Sequence, residues 1–404
     1  MKYEEALAWL YSLQRFGIKL GLENIRRLIA EMHVDLGGAR VIHVAGTNGK
    51  GSVCAMIDSI CRAQKYRTGL FISPHLVTFR ERIRIDGEMI SENEVAAGLT
   101  SIRKLVADWE PHPTFFEIAT ALALKHFIEA KIDIVILETG LGGRLDATNA
   151  VQSNVAVITP IALDHEKWLG DSLEKIANEK TGIIKAQTPV VSAPQLPEAD
   201  KAIRGRATEC EAPLEFVEQV YDKSPIALRG EHQKLNAAIA IAAIRAANVE
   251  IDEAAITRGL AAVEWPGRFQ CWDKRTVIDG AHNPAAARIL TQTWRQIFGD
   301  ERATLILAIL SDKDLHGICE ALAPIANSVL LPKIRSERAA DPIDLQTVFV
   351  ELGRKAEIFA SFADAFGKAR EQRDPVLITG SLHFAGEALA NLTGKPAAFE
   401  ECNQ

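Results

Sequence analysis

Cysteine is scarce in this sequence, and no CxxC pair occurs. There are six cysteines among 404 residues, and their spacing argues against a zinc ribbon and against a dithiol redox site. So few cysteines in so long a chain favour reduced thiols in a cytoplasmic protein. The six positions are Cys54, Cys61, Cys210, Cys271, Cys319 and Cys402.

Long hydrophobic runs are also missing. The longest ones, such as residues 305–310, have the length of a single strand. Residues 1–20 carry acidic side chains from the start and contain no long apolar stretch. We therefore expect neither a membrane span nor a signal peptide, and we expect the protein to be soluble and cytoplasmic.

Basic residues are too few for a nucleic-acid surface over the whole chain. Lys and Arg number 46 against 53 Asp and Glu, a formal net charge of -7. We therefore expect no nucleic-acid partner, although a local basic cleft can still attract small anionic substrates. Hydrophobic residues at 48% and charged residues at 25% are typical of a globular protein, and this composition excludes wholesale disorder.

Short β-rich runs alternate along the chain with longer helical patterns. This alternation predicts an α/β fold with a mostly parallel sheet that is covered on both faces. Residues 189–222 form the least regular stretch, and we assign no role to it. Helical spacing is predicted over residues 53–63, 116–130 and 172–180. The strands predicted in this part are residues 40–45, 69–72, 132–137, 155–158 and 190–191.

The pattern starts again after the turn signal Trp265-Pro266-Gly267. A helix is predicted over residues 284–297. A second α/β domain of about 135 residues follows from this restart, and we predict two domains, residues 1–265 and 266–404. The strands predicted after the turn are residues 276–278, 304–309, 328–331 and 376–379.

The glycine-rich segment Gly46–Ser52 is the strongest local signal. It stands between a predicted strand and a predicted helix, where backbone N–H groups and the helix N-terminus can form an anion cradle. Lys50 would reach the outer phosphates of a nucleotide, and Ser52 would lie near the metal ion. The segment departs from the GxxxxGK[ST] pattern, because Gly51 separates Lys50 from Ser52. The structural alternative is a tight turn with a solvent-exposed lysine.

This segment and several others, in order and over most of the chain, resemble folylpolyglutamate synthase and dihydrofolate synthase. That family belongs to the Mur ligase superfamily of ATP-dependent acid–amino-acid ligases. The resemblance implies an N-terminal P-loop-type ATPase domain with a mostly parallel sheet and a smaller, Rossmann-like C-terminal α/β domain. The matching segments are residues 43–52, 73–76, 138–149, 163–165, 182–185, 232–236, 266–268 and 279–284.

The resemblance also implies which residues bind ATP. Asn236 would contact the adenine, and Arg268 would reach the phosphates from the second domain. A polar residue near a helix start is the structural alternative for Asn236. His282 would help to hold the incoming L-glutamate, and we take Lys50, Lys185 and His282 as the catalytic candidates. The ATP-binding candidates are Thr47, Asn48, Gly49, Lys50, Gly51, Ser52, Asn236, Arg268 and Asp279.

Glu138 ends a buried strand and therefore faces the crevice at the carboxyl edge of a parallel sheet. From the sequence alone it is a metal ligand or a loop-anchoring carboxylate, and a lone histidine such as His165 is more often structural. The resemblance implies that Ser73, Glu138 and His165 hold Mg²⁺. It further implies that Lys185, whose apolar setting would lower its pKa, carries a CO₂-derived carbamate supporting a second Mg²⁺. Otherwise Lys185 would be a lysine reaching solvent from a buried stretch.

The segment Thr114–Glu117 opens a predicted helix. Thr114 is a plausible N-cap, and Glu117 completes a capping box, which is a sufficient structural explanation for both residues. In the bifunctional enzymes that the chain resembles, the matching stretch lines the pterin pocket, where flat rings stack well. We therefore count Thr114, Phe115, Phe116 and Glu117 as substrate-binding candidates.

Further substrate candidates are dispersed along the chain. Leu145 lies in one of the matching segments, and Ser381, after a predicted strand, is a candidate for the glutamate site. Arg80, Arg82 and Arg84 alternate, so on a strand they would share one face. That face would attract the carboxylates of a folate, or it would be an ordinary solvated cationic surface.

The resemblance implies a ligase that joins L-glutamate to dihydropteroate, and to tetrahydrofolate and its polyglutamates, through an acyl phosphate. We expect ATP as substrate, two Mg²⁺ ions, and a monomer without membrane partners. One alternative is a folylpolyglutamate synthase only. Another is a Mur-type ligase of cell-wall precursors, but only about 40 residues precede the phosphate loop's strand, too few for an additional domain. A third is a nucleotide-binding regulator without catalysis.

Overall fold

The computed structural model describes residues 1–16 and 21–401, so Cys402 lies outside the described residues. The other five cysteines are free thiols. No helix in the described part of the chain is both long enough and apolar enough to span a bilayer.

An eight-stranded sheet organises the first domain. Its strands are β1 (Arg40–Ala45), β2 (Thr68–Phe71), β3 (Ile83–Ile85), β4 (Glu88–Met89), β5 (Ile134–Glu138), β6 (Val155–Ile158), β7 (Val190–Ser192) and β8 (Leu214–Phe216). They lie in the order β4-β3-β2-β5-β1-β6-β7-β8. All neighbours pair in parallel from β2 to β8, and β3 and β4 pair antiparallel at one edge. Parallel pairing needs crossover connections, which the helices supply.

Helices cover both faces of this sheet. They are α1 (Tyr3–Ser12), α2 (Glu23–Glu31), α3 (Lys50–Ala63), α4 (Glu92–Leu105), α5 (Phe115–Glu129), α6 (Glu166–Leu169), α7 (Leu173–Thr181), α8 (Pro197–Glu209), α9 (His232–Ala246) and α10 (Glu253–Ala262). Ile42 and Val44 of β1 share a buried cluster with α3, α9 and α10. Val41 points to the other face and packs with α1, α2, α4 and α5. Because both faces are buried, the central strands are mostly apolar.

A six-stranded sheet organises the second domain. Its strands are β9 (Gln270–Cys271), β10 (Thr276–Ile278), β11 (Ala303–Leu307), β12 (Ala326–Pro332), β13 (Ala356–Phe359) and β14 (Val376–Thr379). They lie in the order β13-β12-β11-β14-β10-β9, and all pairs except β9 with β10 are parallel. The helices are α11 (Pro284–Phe298), α12 (Leu315–Leu322), α13 (Pro342–Glu351), α14 (Phe362–Glu371) and α15 (Leu382–Leu392). The first three cover one face and the last two cover the other.

The predicted α/β fold with two mostly parallel sheets is confirmed. Strands β1, β6, β10 and β14 have the predicted bounds, and the other predicted strands and helices differ by a few residues at their ends. The last helix of the first domain ends at Ala262, and the first strand of the second sheet begins at Gln270. The boundary at residues 265 and 266 stays a prediction.

The prediction of one cationic strand face at residues 80–84 was wrong. Phe79–Arg82 form a 3₁₀ turn that begins with a capping box between Thr78 and Glu81, and β3 begins only at Ile83. Arg82 is consequently fully buried, whereas Arg80 and Arg84 remain half-buried. The capping interactions of Thr78 and Glu81 stabilise the 3₁₀ turn, so the alternating arginines do not lie on one strand.

Residues 189–222 are also more regular than their composition indicates. They contain β7, β8 and, between these strands, the 13-residue helix α8. Pro197 occupies the first turn of α8. Proline is tolerated there because the backbone N–H groups of the first turn have no acceptor within the helix. Its Ala199, Ile203 and Ala207 are buried against α7 and the sheet, so the segment is an ordinary part of the first domain.

Candidate active site

A cleft of about 600 Å³ lies between the two domains. Its walls come from the carboxyl ends of strands in both sheets, where α/β proteins bind ligands. Most of the predicted site residues line it; Lys185 and the three arginines Arg80, Arg82 and Arg84 do not. The predicted residues in the wall are Thr47, Asn48, Gly49, Lys50, Gly51, Ser52, Ser73, Thr114, Phe115, Phe116, Glu117, Glu138, Leu145, His165, Asn236, Arg268, Asp279, His282 and Ser381.

The glycine-rich loop joins β1 to α3 as predicted. Gly46 has a φ of 146°, and a Cβ at this position would lie 1.9 Å from the Oγ1 atom of Thr159. Gly49 is the N-cap of α3 with a φ of 89°, in the left-handed region that glycine adopts without strain. Both glycines are therefore required by backbone geometry and by close packing.

Two backbone amides of this loop donate hydrogen bonds within the protein. The N–H groups of Thr47 and Asn48 donate to the carbonyl oxygen of Pro160 at 3.0 and 3.1 Å. The first-turn amides of α3 have no carbonyl acceptor inside the helix, so these amides form the part of the loop that suits an anion. The Lys50 Nζ atom donates to the Thr47 carbonyl at 3.3 Å, which places its charge at the same end of α3.

Asn236 lies on α9, close to the phosphate loop. Its Nδ2 atom donates to Oε1 of Gln233 at 2.9 Å, and Nε2 of Gln233 is 3.5 Å from the Ser52 hydroxyl. A Cβ on Gly49 would lie 2.9 Å from the Asn236 Oδ1 atom. Gln233, which the sequence reasoning did not select, thus connects α9 to the loop.

Glu138 is a buried carboxylate at the end of β5, with 5% of its surface exposed. Its Oε2 atom accepts a hydrogen bond from the backbone N–H of Ser73 at 3.3 Å. Burial raises the pKa of Glu138, while the positive charges of Lys50 and Arg268 act in the opposite direction. For the Glu138 carboxylate, the cost of losing hydration is larger than the stabilisation from the nearby positive charges. A bound cation would stabilise its charged form.

His165 lies in the first domain, on the loop after β6. Its Nε2 atom is 3.4 Å from Nζ of Lys313, and burial lowers the pKa of His165 to about 3. The described residues hold no group of three or more His, Cys, Asp or Glu side chains placed to bind a metal ion. The assignment of Ser73, Glu138 and His165 as a ligand set remains a prediction.

The two lysines near residue 182 have different surroundings. Lys185 lies outside the cleft wall, and its Nζ atom donates to the carbonyls of Asn149 and Val151. Lys180 is 5% exposed, lines the cleft, and donates to the Gly46 carbonyl at 2.8 Å. Burial, reinforced by the charge of Lys50, lowers the pKa of Lys180 to about 7.

Lys180 could have been found from helical spacing. It falls on the same side of α7 as the buried Ile176 and Ala177, so it points to the interior rather than to solvent. Lys185, which the sequence analysis selected, is not in the cleft wall, and its predicted carbamate stays a prediction. Burial also lowers the pKa of Lys185, to about 8, but its amine serves backbone carbonyls.

The capping box at the start of α5 is present. The Oγ1 atom of Thr114 accepts from the Glu117 N–H at 3.3 Å, and the Glu117 carboxylate accepts from the Thr114 N–H at 2.8 Å. Phe115 is 3% exposed and stacks on Tyr11 with ring centroids 5.6 Å apart. Phe116 remains partly exposed. Phe116 therefore presents more of its ring to the cleft than Phe115 does.

Asp279 and Ser381 hold the backbone of the second domain. The Asp279 carboxylate accepts from the N–H groups of Phe269 and Ala281, both at 2.8 Å. Ser381 is the N-cap of α15, and its hydroxyl donates to the Ala308 carbonyl at 3.3 Å. Each side chain thus has a structural role, and their predicted ligand contacts stay predictions.

Asp164 joins the two domains across the cleft. Its Oδ1 atom accepts from Nζ of Lys313 at 2.6 Å, and its Oδ2 atom accepts from Nδ2 of Asn283 at 3.2 Å and lies 3.4 Å from Nε2 of His282. Burial alone would raise the pKa of Asp164, but hydrogen bonding and positive charge from His282, with charge from His165 and Lys313, hold it well below its usual range. This cluster fixes the position of His282.

Sequence reasoning missed Asp164, Asn283 and Lys313 as site residues. Each follows a strand end, after β6, β10 and β11 respectively, and that placement was the available signal. Lys313 stands beside Asp314, whose side chain caps α12. The pairing of Asp164 with Lys313 connects residues 149 positions apart, and no local pattern reports such a contact.

The chain matches two family models, one in each domain. The Mur ligase middle domain matches residues 44–209, and the Mur ligase glutamate ligase domain matches residues 267–382. The matched ranges contain the phosphate loop on one side of the cleft and the segment of Asp279 and His282 on the other. The fold and the site thus define a Mur-type ligase with its cleft between two domains.

The chain is similar to named enzymes over nearly its full length. It is 35% identical to the dihydrofolate synthase/folylpolyglutamate synthase of Bacillus subtilis, covering 95% of this chain and 98% of that protein. The structure of Escherichia coli FolC in complex with DHPP and ADP matches with a TM-score of 0.86 and 34% identity, over 96% and 98% of the two chains.

A third match contains a metal ion. The bifunctional folylpolyglutamate synthase/dihydrofolate synthase of Yersinia pestis, complexed with AMPPNP and Mn, has a TM-score of 0.88 and 33% identity, over 97% and 98% of the two chains. The chain therefore belongs to the dihydrofolate synthase/folylpolyglutamate synthase family, and the predicted resemblance is confirmed.

Proposed function

We propose that this protein uses ATP to join L-glutamate to dihydropteroate and to tetrahydrofolate or its polyglutamates. The observation that carries this proposal is one cleft in which the phosphate loop and the buried Glu138 of the first domain face Arg268 and His282 of the second. The nearly full-length similarity to enzymes named for these reactions supports the substrate class.

The first step makes an acyl phosphate. A carboxylate oxygen of the pterin-linked acid attacks the γ-phosphorus of ATP, and the bond to the β-phosphate oxygen breaks to release ADP. Two anions must approach each other, so positive charge in the cleft is the main requirement. Lys50, at the N-terminus of α3, and Arg268, from the second domain, supply that charge.

The second step forms the amide bond. The neutral amine of L-glutamate attacks the acyl carbon, phosphate leaves with the bonding electrons, and the nitrogen loses a proton. His282 lies at this side of the cleft, oriented by Asp164 through Nε2 and by the Gly280 carbonyl through Nδ1 at 2.8 Å. The Asp164–Lys313 contact holds the two domains together, which excludes water that would hydrolyse the acyl phosphate.

A divalent ion fits the corner at Glu138. This buried carboxylate has a serine beside it, and hard oxygen ligands are those that Mg²⁺ prefers. We propose that Glu138 holds the ion, with Ser73 and His165 completing the protein ligands. When bound, the ion would neutralise charge on the phosphates. The manganese-bound relative supports a divalent ion in this family's site.

We place the lysine carbamate on Lys180 and not on Lys185. A carbamate forms when a neutral amine attacks CO₂ and releases a proton, and a pKa of about 7 leaves much of the Lys180 amine neutral at physiological pH. Lys180 also lines the cleft, and its amine donates to one backbone carbonyl, that of Gly46. Lys185 lies outside the cleft wall, and its amine donates to two backbone carbonyls.

Matched methionine variants test this placement. With ¹³CO₂, a carbamate carbon signal should appear in the wild type and in Lys185→Met and disappear in Lys180→Met. Lys180→Met should also lower the rate of ADP release by about 10- to 100-fold. A signal that persists in Lys180→Met and disappears in Lys185→Met would reverse the assignment.

The function itself is tested by a substrate panel. Purified protein with ATP and Mg²⁺ should release ADP only when L-glutamate is present together with dihydropteroate or tetrahydrofolate. Lys50→Ala should abolish this release, and Lys104→Ala, which removes an exposed lysine on α4, should leave it unchanged. Activity with tetrahydrofolate alone would identify a folylpolyglutamate synthase only, and no glutamate-dependent release with either acid would reject the proposal.

A further inference from the structure

The loop that leaves β2 is held between the two domains. This segment, residues 73–82, begins at Ser73 beside Glu138. Its Leu76 and Val77 pack against the buried cluster of the second domain around α14 and α15. The approach is close, because a Cβ on Gly386 of α15 would lie 1.9 Å from the Leu76 carbonyl oxygen. The 73–82 loop is therefore positioned by both domains.

The chain after α15 returns to this loop. At its end, the backbone N–H of Glu400 donates to the Val77 carbonyl at 2.8 Å. The Glu400 carboxylate accepts hydrogen bonds from the N–H of Phe79 at 2.5 Å, the Oγ1 of Thr78 at 3.3 Å and the hydroxyl of Tyr3 on α1 at 3.1 Å. One carboxylate thus binds the second-domain tail to two segments of the first domain.

A line of contacts continues from Glu400 to the aromatic wall of the cleft. The Nε2 atom of His75 donates to the Glu400 carbonyl at 2.9 Å, and its Nδ1 atom accepts from Nε of Arg82 at 2.8 Å. These directions agree with a single neutral tautomer of the imidazole. The buried Arg82 guanidinium lies 5.2 Å from the ring centroid of Phe115.

We propose that Glu400 is a positioning residue that fixes the 73–82 loop and, through His75 and Arg82, the wall of the cleft that receives the pterin-linked acid. This inference rests on the proposed function and extends it to a residue that takes no part in the chemistry. The carboxylate is held by three donors, and hydrogen bonds to a charged acceptor are shorter and stronger than neutral ones.

The nucleotide end of the cleft is supported separately. The phosphate loop follows β1, and its backbone is held by Thr159 and by the Pro160 carbonyl. Glu400 contacts the loop at Val77, Thr78 and Phe79 and not at Ser73, so a displacement at these residues should affect the acid substrate more than ATP. This difference separates a positioning role from general destabilisation, which would lower the amount of active protein without changing either KM.

The test compares Glu400→Gln with Glu371→Gln. The control removes the same charge from an exposed residue of α14, whose partner is Lys368 at 2.9 Å. In Glu400→Gln we expect the KM for dihydropteroate or tetrahydrofolate to rise about tenfold and the KM for ATP to stay within about twofold of the wild-type value. Tyr3→Phe should raise the same KM less, and the two effects should not be additive.

A second measurement does not depend on activity. Amide hydrogen exchange at residues 76–79 of the substrate-free protein should be faster in Glu400→Gln than in the wild type or in Glu371→Gln. If the wild type shows no glutamate-dependent ADP release, the proposed function fails and this exchange experiment still decides the positioning role. Unchanged exchange at these residues, or an equal rise of the KM for ATP and for the acid, would overturn the inference.

Discussion

Lys180 and Lys185 show how far the surroundings of a single residue decide its chemistry. Both amines lose hydration on folding, and the pKa of each falls, to about 7 for Lys180 and to about 8 for Lys185. The Lys185 amine is used by two backbone carbonyls. The Lys180 amine faces the cleft, and repulsion from the charge of Lys50 contributes to its lowered pKa. Only the second arrangement combines a lowered pKa with access to ligands.

The lowered pKa of Lys180 predicts a pH dependence of stability. An unfolded lysine stays protonated up to about pH 10.5, whereas the folded amine deprotonates near pH 7. The unfolded state then binds more protons between these values, so the free energy of unfolding should rise with pH, by up to about 1.4 kcal/mol per pH unit. In CO₂-free buffer, where the Lys180 amine carries no carbamate, Lys180→Met should reduce this slope in denaturant unfolding measured at pH 7.5, 8.5 and 9.5.

The control for this slope is Lys175→Met on the same helix. Lys175 has a side chain that is 62% exposed and pairs with Asp171. Its replacement should leave the pH dependence as it is in the wild type. An identical slope in Lys180→Met and in the wild type would contradict the prediction.

At the scale of elements, the loop between β1 and α3 needs glycine both for its backbone angles and because neighbouring atoms leave no room for a side chain. The loop turns where Gly46 touches Thr159, and α3 begins at a glycine in the left-handed region. The Thr47 and Asn48 amides are bound to the Pro160 carbonyl, which pins the loop to the end of β6. The first turn of α3 is then presented to the cleft with its amides free of helical acceptors.

Gly46→Ala should therefore disturb nucleotide binding. The new methyl group would lie within 2 Å of the Thr159 side chain, and the loop would have to move to relieve the overlap. We expect the Kd for ADP, measured by titration calorimetry with Mg²⁺, to rise by at least about tenfold, because a small displacement removes several phosphate contacts. An affinity within twofold of the wild type would show that the loop tolerates a side chain here.

Gly205→Ala on α8 is the matched control for this substitution. A Cβ at Gly205 meets nothing within 4 Å, and the position is inside a helix. Alanine should raise the free energy of unfolding by about 0.5–1 kcal/mol and leave the affinity for ADP unchanged. The two variants thus separate the effect of added volume from the effect of helix propensity.

At the scale of the whole molecule, polar contacts across the cleft contribute to the relative position of the domains. Asp164 is the acceptor at the centre, with Lys313 and Asn283 donating from the second domain. Asp164 and Lys313 each have only 6% of the side chain exposed. A buried pair of this kind is costly to break on one side, because the remaining charge loses its partner.

Asp164→Asn should accordingly destabilise the protein by about 3 kcal/mol or more, measured as a lower free energy of unfolding in urea. Asp171→Asn is the control, since Asp171 is 77% exposed and its replacement should change stability by less than about 0.5 kcal/mol. Equal stability of the two variants would show that the Asp164 contacts do not hold the domains together.

Much of the local structure was predictable from the sequence. The runs that became β1, β6, β10 and β14 are mostly apolar because helices bury both faces of each sheet, so composition indicated their positions. The capping box of Thr114 with Glu117 and the glycine-rich loop are contiguous patterns, and their geometry follows from neighbouring residues. Helix α8 was not predicted because only Ala199, Ile203 and Ala207 form its buried face, and scattered polar residues and prolines surround them in the sequence.

Long-range contacts were not predictable in this way. The sequence by itself determined two α/β domains, the strand–loop–helix at Gly46–Ser52 and the strand ends that carry Glu138 and Asp279, since each depends on periodicity or on adjacent residues. Tertiary structure alone decided that Asp164 meets Lys313. It also decided that Glu400 binds the 73–82 loop. These pairings depend on how the two sheets and the tail pack, and packing joins residues that are far apart in the chain.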